Sequence, residues 1–260
     1  YFRYSTTSPG TCNDTFGTRA PAAGGSALGS GTSSVDYTRA IAALLPGTTY
    51  YYCAIASNAY GTTFGAVVSF TTPAIAPVVT TGGATGLTST TATLNATAVP
   101  GGDSSVGWFR YSTTSPGGCN DTFGTRAPGS GGTALGAGNS SVPFSEPLAG
   151  LTPLTTYYYC AIAANGIGTG LGALSSFTTP GAPTAVTAAA TLITNTSATL
   201  NGSGNPNRAA TTGWFRYSST DPGTCNDTFG SRAPVAGGSA LGSGAVSVAY
   251  SQSIAGLSAG

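Results

Sequence analysis

The sequence predicts an all-β chain built from tandem β-sandwich repeats. Three observations carry that reading. An internal repeat has the length of a whole domain, short alternating segments are punctuated by turn residues, and cysteines recur at one spacing.

The repeat is the strongest of the three. Tyr1-Phe2-Arg3-Tyr4-Ser5 recurs as Trp108-Phe109-Arg110-Tyr111-Ser112 and as Trp214-Phe215-Arg216-Tyr217-Ser218, after steps of 107 and 106 residues. Residues 1–47 align without a gap to 214–260, with 33 of 47 positions identical. Phe70-Thr71-Thr72-Pro73 returns as Phe177-Thr178-Thr179-Pro180. A period of this length is a domain, not a solenoid turn. The chain therefore divides into the back part of one repeat (1–73), a complete repeat (74–180) and the front part of a third (181–260). Neither end falls on a repeat boundary, so the chain reads as a window onto a longer array.

Within the complete repeat, Thr90–Thr97 alternates small or apolar with polar residues at strand period. Val106–Tyr111 is an aromatic-rich strand, Thr156–Ala164 carries Tyr157, Tyr158, Tyr159 and Ile162, and Ala173–Thr178 is a fourth. Pro100-Gly101-Gly102 and Asn165-Gly166 punctuate them. No segment has a capped helical period. The short linkers Thr71–Pro77 and Thr178–Pro183 contain proline and are stiffer than Gly/Ser linkers, so the array is expected to be extended.

Composition narrows the function. Only 6% of residues are charged, far below the roughly 25% of ordinary soluble domains. There is no His, no Met and no Lys, so all eight basic residues are Arg. The commonest general base and the Schiff-base amine are missing, which argues against an enzyme. A lysine–asparagine isopeptide crosslink is excluded on the same ground. A net charge of +1 leaves no basic footprint for nucleic acid, and near-neutrality favours self-association. No apolar run is long enough to span a membrane. No cofactor or metal is expected.

Leu44-Leu45-Pro46-Gly47-Thr48-Thr49-Tyr50 and Leu151-Thr152-Pro153-Leu154-Thr155-Thr156-Tyr157 resemble the Leu-x-Pro-x-Thr-x-Tyr segment of fibronectin type III domains. Ser197-Ala198-Thr199-Leu200-Asn201-Gly202 and the stretch Tyr60 to Thr72 resemble bacterial secreted members of that family. The resemblance covers nearly the whole chain. It implies tandem fibronectin type III-like sandwiches, with Tyr50 and Tyr157 as the tyrosine corners. The exception is the cysteine-containing segment from Thr113 to about Gly138, which is longer than the family leads one to expect.

Cys12 and Cys53 are 41 residues apart, as are Cys119 and Cys160. The same spacing carries the partner of Cys225 past Gly260. Cys12–Cys53 and Cys119–Cys160 disulfides are expected, each worth about 4 kcal/mol in the chain-entropy model. They imply an oxidising, extracellular or cell-surface location. A zinc site is disfavoured, because two Cys per repeat without His do not make a tetrad. Alternation from the corner tyrosine turns Tyr157, Tyr159, Ala161 and Ala163 inward, leaving Tyr158, Cys160 and Ile162 outward. Trp108 and Arg110 share that outer face. The stapled segment is expected to cover it. The alternative is an open aromatic interface of Trp108, Arg110, Tyr158 and Ile162 toward a neighbouring domain or chain.

Asn13, Asn120 and Asn226 stand in Asn-Asp-Thr triplets beside each repeat's first cysteine and fit the N-glycosylation pattern. Asn95, Asn139, Asn195 and Asn201 fit it too, although for any single one of the seven a turn role is the favoured reading. Asp14 and Asp121 are one acid per site, too few for calcium, and read as turn residues. Arg110 is a candidate cation–π partner of Trp108 and a sugar ring a candidate stacking partner, but packing of Trp108 under the stapled segment is the preferred reading. The leading functional expectation is an extracellular structural repeat protein that forms or decorates a surface filament, stalk or fibre. Its partners would be other copies or adjacent repeats. The alternative is an adhesin, or a spacer or carbohydrate-binding module attached to another functional domain, with glycans or a neighbouring surface as partners.

Overall fold

A computed structural model describes residues 1–258. Among these residues there are strands and turns but no helix, hence none long and apolar enough to cross a membrane. The first part of the chain contributes β1 (Phe2–Ser5), β2 (Thr18–Ala20), β3 (Thr49–Asn58), β4 (Gly61–Phe64) and β5 (Val68–Thr71). They form one five-stranded sheet.

The middle part contributes β6 (Val78–Thr81), β7 (Thr91–Val99), β8 (Ser105–Ser112), β9 (Thr125–Ala127), β10 (Thr133–Gly136) and β11 (Val142–Ala149). It continues with β12 (Thr156–Ala164), β13 (Thr169–Leu171) and β14 (Ser175–Thr178). Two antiparallel sheets result: β11-β7-β6 on one side and β10-β8-β12-β13 on the other, with β14 beside β12 and β9 beside β8. The last part holds β15 (Thr184–Thr191), β16 (Ser197–Asn205), β17 (Thr211–Gly213), β18 (Phe215–Tyr217), β19 (Ser231–Ala233), β20 (Ser239–Gly242) and β21 (Val248–Ala255). Here β15-β16-β21 make one sheet, and β17-β20 and β18-β19 make two-stranded pairs.

The core between the two middle sheets follows from strand alternation. On β7, Ala92, Leu94, Ala96 and Ala98 are buried, and across the gap β8 and β12 present Phe109, Tyr157, Tyr159, Ala161 and Ala163. Small alanines on one sheet face large aromatics on the other, so the layers interdigitate at interior density. Phe109 meets Phe144 at 5.1 Å between ring centroids, and Tyr157 stacks on Phe177 at 5.5 Å. Tyr159 is fully buried, and its hydroxyl donates to the Gly82 carbonyl at 2.7 Å. Gly107 is required at its place: a Cβ there would lie 2.9 Å from the Phe144 ring. The tyrosine corners are formed, with Leu45 N and Thr152 N each donating to the hydroxyl of Tyr50 and Tyr157 at 2.9 Å.

Candidate functional site: the stapled outer face

Two disulfides are present. Cys12 joins Cys53 and Cys119 joins Cys160, with Cα atoms 6.0 and 5.9 Å apart, ordinary disulfide distances. Cys225 is exposed and has no disulfide partner among the described residues. The Cys119–Cys160 bond ties the segment after β8 to the middle of β12, on the sheet face away from the main core.

That face closes over a second, smaller core. Trp108, Cys160 and Ile162 are buried at 8%, 0% and 0% exposure, with Cys119, Phe123 and Ala164 packed against them. The open-interface alternative is therefore corrected for Trp108 and Ile162: the stapled segment already occupies their apolar surface. Tyr158 and Arg110 are half-buried. Covering a tryptophan in this way removes from water the kind of patch that otherwise drives association.

One carboxylate organises the cover. Asp121 Oδ1 accepts from Trp108 Nε1 at 2.9 Å and from Arg110 Nε at 3.0 Å. Arg110 Nη1 also donates to the carbonyls of Phe123 and Gly124, at 3.5 and 3.4 Å. Gly124 has φ +49, and a Cβ there would stand 2.1 Å from the Tyr111 carbonyl oxygen. Only glycine lets the segment approach this closely. The turn reading of Asp121 is thus corrected: Asn120 makes the turn, its Oδ1 accepting from Thr122 N, Thr122 Oγ1 and Phe123 N. Asp121 holds the indole and the guanidinium. Among the described residues no group of three or more His, Cys, Asp or Glu gathers.

The cation over the indole is also a correction. Arg126, on β9, lies over Trp108 with its Cζ 4.6 Å from the ring centroid. Its Nη1 donates to Pro128 O at 2.7 Å, and Nη2 donates to Gly131 O. Arg110 is spent on Asp121. The signal for Arg126 was present in the chain: Thr18-Arg19-Ala20-Pro21, Thr125-Arg126-Ala127-Pro128 and Ser231-Arg232-Ala233-Pro234 place three of eight basic residues in one repeated tetrapeptide.

The Arg–Asp pair and the covering arginine recur, but Trp214 is 37% exposed and Cys225 has no disulfide partner among the described residues. Arg3 pairs with Asp14 at 3.2 Å and Arg19 covers Tyr1 at 3.9 Å. Arg216 pairs with Asp227 at 3.2 Å, Trp214 Nε1 donates to Asp227 at 2.8 Å, and Arg232 covers Trp214 at 4.8 Å. Hydrogen bonding from Trp214, then from Arg216, holds the Asp227 carboxyl below the usual carboxylate range. For Asp14 the Tyr1 side chain is the largest cause and lowers the carboxyl; desolvation opposes it, and Arg3 adds to the lowering.

The asparagines divide into two groups. Asn13 and Asn120 keep their carboxamide nitrogens nearly free, with single long contacts of 3.3 and 3.4 Å to Thr11 O and Gly118 O. Asn226 uses its Oδ1 in the same turn. Asn95 and Asn201 each donate from Nδ2 to three acceptors, which commits them to the fold.

No family model and no curated protein matches the chain. Among solved structures, the chain is similar to the FN1–FN3 domains of chicken CNTN1, with 13% identity and a TM-score of 0.33, over 83% of this chain and 67% of that one. The fold rests instead on the stacked sheets and the tyrosine corners described above, an all-β sandwich. Two intramolecular disulfides are consistent with an extracellular location.

Proposed function

We propose that the chain belongs to an extracellular structural repeat protein, in which residues 1–73, 74–180 and 181–260 are successive units of a surface filament, stalk or fibre. The observation that carries this reading is the threefold recurrence of the Arg–Asp–aromatic clamp. In all three the arginine Nε and one carboxylate oxygen hold each other and, in the middle unit, the aromatic is covered. A ligand-binding face keeps donors and ring surface free for the ligand. This face spends both on holding its own loop. The low charge and the absence of His and Lys support a role that depends on stability rather than on proton transfer. The near-free amide nitrogens of Asn13 and Asn120 make them the first candidates for glycan attachment.

Electron microscopy of the native, full-length material tests the proposal. A fibre whose axial repeat matches one or a few sandwich lengths is the expected result. Isolated strings ending in a separate globular head would overturn it and make these units a spacer for another domain.

A further inference from the structure

We infer that successive sandwiches dock through a keyed joint, in which each Pro-x-Thr turn is matched to the linker and loop that follow it, so that the units are not interchangeable in order. This deepens the array reading above and rests on it. The surface in question is the end of one unit, and its partner is the turn at the end of the unit before.

At the first joint the turn is Pro46-Gly47-Thr48. Gly47 N donates to Pro73 O at 3.1 Å, which ties the turn to the linker, and Ile75 N then donates to Gly101 O at 2.9 Å in the next unit. Asn165 Nδ2 fastens the same place, donating to Ile75 O at 2.8 Å and Pro100 O at 3.0 Å. Across the joint Gly47 and Gly102 meet backbone to backbone: a Cβ on Gly47 would stand 2.2 Å from Gly102 O, and one on Gly102 would stand 2.6 Å from the Gly47 Cα. Asn139 closes the contact, its Nδ2 donating to Pro46 O at 2.8 Å and Thr48 Oγ1 at 3.3 Å. Its Oδ1 is buried without a partner, so the side chain is held only through its donors.

The second joint has the same frame and a different key. Gly181 N donates to Asn207 O at 2.9 Å, as Ile75 does to Gly101. The turn residue is now Leu154, at φ 52, and it lies over Gly181, where a Cβ would be 2.6 Å from the leucine Cγ. The loop carries Asn207 and Arg208, at φ 51 and 68, where the first joint has Gly101 and Gly102. Ala245 stands where Asn139 did. The bulky residue has moved from linker to turn, and the glycine from turn to linker. Leu154 at the first joint would strike Gly102. Steric exclusion of the wrong neighbour is how matched interfaces gain specificity.

The test uses the 260-residue chain. Small-angle scattering reports the spread of inter-unit distances, and side-chain amide exchange reports on Asn139. In the parent chain the Asn139 amide should exchange at least about tenfold more slowly than that of Asn120. Gly47→Leu and Gly102→Arg should each abolish that protection and broaden the distance distribution, and Asn139→Asp, which has no amide to follow, should broaden the distribution, with near-ultraviolet circular dichroism unchanged as the control for folded sandwiches. Installing the second key as a set (Gly47→Leu, Ile75→Gly with Ala74 deleted, Gly101→Asn, Gly102→Arg, Asn139→Ala) should restore the narrow distribution. Independent tumbling of the parent units, or a joint indifferent to the single variants, would overturn the inference. Loose joints in material that still forms fibres would sink this inference alone, and tight joints without fibres would sink the filament reading alone.

Discussion

Trp108 shows what the clamp is worth at the scale of one residue. Its ring lies between Ile162 and the stapled segment, under the Arg126 guanidinium, with the indole N–H on Asp121. Trp108→Ala should destabilise the middle unit by about 3–5 kcal/mol, the usual cost of deleting a buried aromatic, measured by urea denaturation. Trp108→Tyr should cost far less, since Tyr1 fills the same place beneath Arg19. The third unit gives the pH response. Asp227 is depressed by Trp214 and Arg216, so its contribution is complete above the ordinary carboxylate range. That contribution is lost as pH falls through the lowered folded-state value. A titration following the Trp214 indole N–H by NMR should show a transition below about pH 4, the reference for a free aspartate. A transition at or above that reference would separate Asp227 from the indole. Much of this was legible, because Trp, Arg and Asp recur at fixed places. Which arginine covers the ring was not. Arg110 is the nearer in sequence, but the Asp121 carboxylate claims it and leaves the ring to Arg126.

Strands were legible where alternation was strong. The stretches that became β7, β8, β12 and β14 show period-two patterning or aromatic runs. Four others do not announce themselves: β6, β9, β10 and β13 are three or four residues long, and β10 and β13 lie in glycine-rich sequence. The strand β11 hides for a different reason. It contains Pro143 and Pro147, which argue against a strand in general, yet it lies at the edge of its sheet and pairs only with β7. Proline is tolerated there, because the missing N–H faces away from the ladder. The sheets also depend on missing side chains. Gly107→Val would drive a Cβ into Phe144 and Leu135 and should cost about 1–3 kcal/mol by overpacking. Equilibrium unfolding checks it, and full stability would mean that β8 and β11 lie farther apart than described. The stapled segment was legible as a loop, but its position over Trp108 required both the 41-residue cysteine spacing and the in–out alternation of β12.

Across the whole molecule, an Arg–Asp pair with an arginine over an aromatic ring is built three times, while the proposed joints between units differ. That division of labour suits an array whose modules must each be stable and whose order is fixed by local contacts. In that proposed array the Trp108 face is a structural clamp and not an open binding surface. The most direct test isolates Trp108 in a Trp214→Tyr background and compares oxidised protein with protein refolded under reducing conditions. Removing the Cys119–Cys160 constraint should lower the stability of the middle unit by about 4 kcal/mol, shift Trp108 emission to the red and open it to quenching by acrylamide. If acrylamide quenches Trp108 freely in the oxidised protein, or if a defined sugar saturably quenches it with the disulfide intact, the face is open and the clamp account is wrong.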